Sequence, residues 1–95
     1  MNATDTLFEQ CKQIVQELVG NEYLYFDTAV EVKLSPHTFP FQAWAVSVSP
    51  AGDLYVMDSD EQWHEVTVKQ GSAALVVASL YQRLRLLKLQ YRKSL

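Results

Sequence analysis

Reactive side chains are few in this chain and lie far apart. The single thiol, Cys11, stands midway between Leu7 and Val15, at the spacing that puts all three on one helix face. A reactive thiol needs partial exposure and a positive neighbourhood, so Cys11 reads as a core residue. One cysteine also excludes an internal disulfide framework and any multi-cysteine zinc or iron–sulfur site. The only histidines are His37 and His64. Asp58, Asp60 and Glu61 could complete a metal site, yet nothing places the two histidines on one helix face or strand pair. His64 is instead expected to be a half-buried strand residue with an ordinary hydrogen-bond partner. Asp58-Ser59-Asp60-Glu61 opens like a calcium loop, but Trp63 and Lys69 occupy the sixth and twelfth positions, where that loop needs glycine and a bidentate acid. A solvated hairpin turn accounts for the same residues. Gly20, Gly52 and Gly71 are too dispersed for a phosphate loop, and no Gly-x-Ser-x-Gly elbow occurs. Paired carboxylates for glycoside chemistry would need a deep groove, which so small a fold hardly offers. The expectation is a protein that is not an enzyme, with no catalytic residue, no metal and no cofactor.

Few elements are available to position these residues. Leu7, Phe8, Cys11, Ile14, Val15, Leu18 and Val19 recur at helical spacing and predict a helix over 6–19. Thr6 with Glu9 fits a capping box at its start, and Gly20-Asn21 tolerates the left-handed conformation that ends it. Val30, Val32 and Leu34 alternate with Glu31 and Lys33, the period of a strand with one wet face. Trp44, Val46 and Val48 alternate with Ala45, Ser47 and Ser49 in a second strand. Pro50-Ala51-Gly52-Asp53 reads as a hairpin turn, since proline presets φ and glycine accepts positive φ. A short strand over 54–57 points Leu54 and Val56 to one side. After the acidic turn, His64, Val66 and Val68 alternate with Trp63, Glu65 and Thr67. The strands form a meander of three or four antiparallel members with a polar or mixed outer face.

Gly71-Ser72 opens a last helix running to about residue 92. Ala73, Val76, Val77, Leu80, Tyr81, Leu84, Leu87 and Tyr91 make its apolar stripe, while Leu75, Leu86 and Leu89 fall outside it. Apolar surface beyond one face calls for a cover, and at roughly 30 Å the helix outruns a small sheet, so its last two turns are expected to project. The predicted fold is an α+β two-layer sandwich, α-β-β-β(-β)-α, with both helices on one sheet face. Nothing marks a linker or repeat, and the reading is a single domain over 1–95.

Composition agrees with a globular core: 95 residues, 48% hydrophobic and 20% charged. No apolar run approaches the roughly 20 residues of a membrane span. The start, Met1-Asn2-Ala3-Thr4-Asp5, lacks the basic and apolar regions of a signal peptide, which sets the expectation of a cytoplasmic protein without membrane contact. Charge is divided unevenly. All eleven acids and three lysines precede Gly71, a formal −8, and Arg83, Arg85, Lys88, Arg92 and Lys93 follow it with no acid, a formal +5.

The helix–strand–strand–strand–helix order resembles the double-stranded-RNA-binding domain, where a basic motif at the start of the second helix grips phosphates. The corresponding start here is Gly71-Ser72-Ala73-Ala74-Leu75, with only Lys69 before it, and helix one is acidic. The resemblance is one of topology and carries over no binding residue. In acidity and size the chain also resembles the small secretion chaperones that dimerise and bind unfolded effectors, without a shared motif.

Two features remain for function. The last helix offers Leu84, Leu86, Leu87, Leu89 and Tyr91 as apolar contacts, flanked by Arg83, Arg85 and Lys88. The segment Ser35-Pro36-His37-Thr38-Phe39-Pro40-Phe41 offers Phe39 and Phe41 either as docking aromatics or as residues tucked under the sheet edge. The expected function is that of a small protein–protein interaction or adaptor domain. It self-associates through the C-terminal helix, or binds another protein, with the bases meeting acids of the partner. The alternative is a nucleic-acid-binding module using the same basic helix. The −8 body opposes it by repulsion.

Overall fold

The computed structural model describes residues 3–32, 41–66 and 73–94, with side-chain surroundings for 7–32, 42–66 and 78–91. The chain runs α1 (Ala3–Val19), β1 (Tyr23–Val32), β2 (Phe41–Val48), β3 (Leu54–Met57), β4 (Trp63–Val66) and α2 (Ala73–Ser94). The strands form one antiparallel sheet in the order β1-β2-β3-β4. Both helices contribute to a core on one face of it, which is the expected α+β sandwich with four strands. Leu34, Val68, Gly71-Ser72 and the proline segment with His37 and Phe39 lie outside the described residues, and Phe41 is described only by its backbone.

Helix α1 begins three residues ahead of the predicted position, because no glycine or proline precedes Thr6 to stop it. Thr6 and Glu9 therefore lie inside the helix, and the expected capping box does not form its start. Phe8, Cys11, Ile14 and Val15 are buried, with Leu7, Leu18 and Val19 packed against them, as their spacing requires. Gly20 ends the helix at φ +66°, its N–H donating to the Gln16 carbonyl at 2.9 Å. Asn21 then ties the helix end to the sheet, its side-chain amide donating to the Val48 carbonyl at 3.0 Å.

Strand β1 starts well before the predicted position at Val30. Its pairing with β2 breaks between Tyr25 and Val30: Tyr25 faces Ala45 and Val30 faces Ala43, so residues 26–29 oppose Trp44 alone. That bulge shifts the phase of β2, where Ala43 and Val46 both face inward, while β1 keeps Phe26, Val30 and Val32 inward on either side of it. Ala43, Val46 and Val48 face the helices, and Trp44, expected beside the two valines, is 36% exposed instead.

The β2–β3 and β3–β4 turns share one plan. Gly52 N–H donates to the Ser49 carbonyl and Ser49 N–H to the Asp53 carbonyl, both at 2.9 Å, with Gly52 at φ +91°. In the second turn Glu61 N–H donates to the Asp58 carbonyl at 3.1 Å and Asp58 N–H to the Gln62 carbonyl at 2.9 Å. Glu61 occupies the glycine position at φ +62°, a conformation that L side chains rarely adopt.

Helix α2 buries Leu80 and Leu84 completely and packs Tyr81 and Leu87 against the core. Its last turns do not stand clear of the body as expected. Lys88 Nζ lies 2.9 Å from Glu17 Oε2 on α1, and Gln90 and Tyr91 line a cleft with Leu18, Val19 and Leu24. No described helix is long and apolar enough to cross a membrane.

Candidate functional site

Two faces of the sandwich present apolar groups to solvent. The first is the outer side of α2. One hundred degrees of rotation per residue sets Leu86 and Leu89 away from the Leu80–Leu84 stripe, and they are 57% and 50% exposed. Exposed Arg85 stands beside them. Gln10, Gln13, Ile14 and Glu17 of α1 and Tyr81, Arg85, Lys88 and Leu89 of α2 border an open groove between the helices.

The structure divides the predicted contact residues of this helix. Leu84 is fully enclosed in the chain's own core and Leu87 is partly enclosed, so the expectation that Leu84 meets a partner is corrected. Tyr91 is half exposed at the rim of the cleft beside Leu18. Arg83 Nη1 donates to the Thr28 carbonyl at 2.6 Å, and its guanidinium lies 5.7 Å from the centroid of the Phe26 ring. Arg83 therefore binds the bulge of β1, supplying a donor where the strand pairing fails. Lys88 is held by Glu17. Of the three central bases, only Arg85 has no ion pair or hydrogen bond to another described residue.

The second face is the open side of the sheet, which the sequence reading left as polar or mixed. Residues paired across strands share a face, so Tyr23, Ser47, Tyr55 and Glu65 form one row, and Tyr25, Ala45, Met57 and Trp63 the next. Tyr23 and Trp63 come from the two edge strands, yet their ring centroids are 4.9 Å apart. They meet over small side chains: Ala45 and Ser47 lie on this face and are only 0% and 7% exposed. Tyr25 packs edge-on against Tyr23 at 6.3 Å and is itself 61% exposed. The Ser47 hydroxyl donates to the Glu22 carbonyl at 3.3 Å, fixing the entry to β1. As described, the four strands contain no lysine or arginine, whereas Glu31 and Glu65 are exposed on this face. Trp63 was expected opposite the inward row of its strand, whereas Tyr23 and Tyr25 precede the expected start of β1. Their union into one aromatic platform depends on strand order and register.

The titratable residues near the acidic turn serve the turn itself. Asp58 Oδ1 accepts the N–H groups of Asp60 at 2.8 Å and Gln62 at 2.9 Å, and Oδ2 lies 2.7 Å from His64 Nε2. The His64 bond, followed by that from Gln62, holds the Asp58 carboxyl below the usual carboxylate range. His64 is thus the half-buried strand residue with a hydrogen-bond partner that its position predicts. Burial pushes the Cys11 thiol up to about 12, which suits a core residue and opposes a nucleophile. Among the described residues no three histidine, cysteine or acidic side chains gather where they could hold a metal ion.

Comparison with protein-family models, with curated proteins and with solved structures finds no match for the chain.

Proposed function

We propose that the chain is a protein–protein interaction domain that pairs with a second copy through the outer side of α2. The observation that carries this reading is the exposure of Leu86 and Leu89, at 57% and 50%, one turn apart on a helix whose other face closes the core. A two-fold pair is self-complementary, because each copy offers the same surface. The leucines of one protomer enter the groove between α1 and α2 of its partner, and Arg85 of one copy meets exposed Glu17 of the other. Glu17, the acid that borders this groove, then lies between Lys88 of its own chain and Arg85 of the other copy. Stable pairs bury about 1,200–2,000 Å² in total, and a 22-residue helix with its neighbour α1 provides a face long enough for that.

Against the nucleic-acid alternative stand Arg83, whose guanidinium is held at the Thr28 carbonyl, and Lys88, whose charge is paired with Glu17. Size-exclusion chromatography with light scattering tests the proposal. The expected mass is twice that of the chain at low and moderate salt, and Leu86→Glu with Leu89→Glu is expected to give a folded monomer. A wild-type monomer, or an unchanged mass in the double variant, overturns it. A raised absorbance at 260 nm that salt removes would favour nucleic acid instead.

A further inference from the structure

We infer that the open face of the sheet is a separate docking surface for an arginine-bearing extended segment of a different protein. The inference goes beyond the pairing through α2 and does not depend on it. Three observations converge. The rings of Tyr25, Tyr23 and Trp63 run as a continuous row across the sheet, an open track rather than an enclosed cavity. Tyr23 and Tyr25 keep 54% and 61% of their surface exposed and adjoin each other and Trp63, and a contiguous exposed aromatic patch of this kind marks an interaction surface. Among the described residues the charge on this side has one sign: Glu31 and Glu65 are exposed on the face, Glu22 adjoins it, and the strands as described hold no lysine or arginine.

Aromatic ring faces carry negative potential and attract cations, and the flat guanidinium of arginine stacks on them while its N–H groups reach carboxylates. Asn21, Glu22, Tyr23 and Tyr25 line an open recess at the start of β1. An arginine side chain laid there has two tyrosine rings set at 81° for walls and Glu22 for its counter-charge. The next arginine along an extended segment comes to Trp63 and Glu65. Bases of a single-stranded nucleic acid also stack on such rings, but their phosphates need a basic groove, and this one is acidic. A second copy set face to face would bring the exposed Glu31 and Glu65 of one sheet against the same acids of the other, so charge disfavours it. The exposed side of α2 lies across the sandwich from the open sheet face, so joining them would build an unclosed stack of molecules.

The probe is a fluorescein-labelled nine-residue peptide alternating serine and arginine, read by anisotropy at low salt with the full chain. Saturable binding is expected. Tyr25→Ala should weaken it about tenfold, the scale of one desolvated cation–π contact, and Tyr25→Phe should retain it. Glu22→Gln should weaken binding, whereas Asp53→Asn, the same charge change on the β2–β3 turn, should leave it unchanged. The paired variant Leu86→Glu with Leu89→Glu should bind the peptide as wild type does, which separates this surface from the dimer. The inference is overturned by any of several outcomes. These are an absence of binding, equal loss in Asp53→Asn, no loss in Tyr25→Ala, equally tight binding of oligothymidine, or a mass that climbs with concentration and falls in Tyr25→Ala.

Discussion

Leu84 and Leu86 lie two residues apart on α2, and replacing each with alanine is expected to have different consequences. Leu84 is fully buried between the helices and the sheet, while Leu86 is 57% exposed. Leu84→Ala removes three carbon atoms from a closed core, about 2.4 kcal/mol at ~0.8 kcal/mol per methylene. The cavity left behind adds to that, because the sheet below cannot fully collapse, giving about 3 kcal/mol. For a chain of this size the loss is a large part of the total stability and lowers Tm by about 15 °C. Leu86→Ala removes little buried surface and costs a lone chain less than about 0.5 kcal/mol. Urea unfolding followed by far-UV circular dichroism measures both, and the series is run at several protein concentrations because pairing adds a concentration-dependent term. Leu84→Ala should be destabilised at every concentration, and Leu86→Ala only where the wild type is paired. Equal losses for the two variants at high dilution would refute the assignment of Leu84 to the core and Leu86 to the surface.

Other outcomes follow from single groups. Cys11, fully buried with its thiol pushed up to about 12, should resist a disulfide reagent in the native protein and react at the rate of unfolding. Rapid labelling without unfolding would refute that. The Asp58 carboxyl is held below its ordinary value by His64, so it stabilises the fold above about pH 4 and loses that contribution as pH falls through its lower native value. Asp58→Asn should therefore flatten acid unfolding below pH 4, read by circular dichroism, and an unaltered curve would refute the linkage. Glu61→Gly should raise stability by up to about 1 kcal/mol in thermal melts, because glycine takes the φ of +62° without the left-handed penalty, whereas Gly52→Ala at φ +91° should lower it.

Sequence pattern and structure part company at identifiable places. The stripe from Phe8 to Val15 repeats every turn without interruption, so α1 was legible, and only its start moved because nothing in the first residues breaks a helix. Leu54 and Val56 alternate cleanly and lie inward as expected. The bulge opposite Trp44 was not legible. Four residues of β1 facing one of β2 is a property of the pairing, and the period of either strand alone conceals it. The same cause turned Trp44 away from the valines. In α2 the stripe marked Leu80 and Leu84 correctly as inward, but not which bases remain exposed. That depended on Glu17 and the bulge at Thr28 lying within reach of Lys88 and Arg83.

The sequence alone determined the local choices, because period, turn residues and charge act over a few positions: two helices, a meander between them, a core cysteine, and an acidic body ending in a basic helix. Tertiary structure alone decided what these pieces present together. Leu84 is enclosed and Leu86 is exposed because the sheet lies on one side of α2. Tyr23 and Trp63, forty residues apart in the chain, meet because strand order and register carry the two edges of the sheet over Ala45 and Ser47. A surface of that kind depends on separations that no local pattern encodes, so it appears only once the strands are paired.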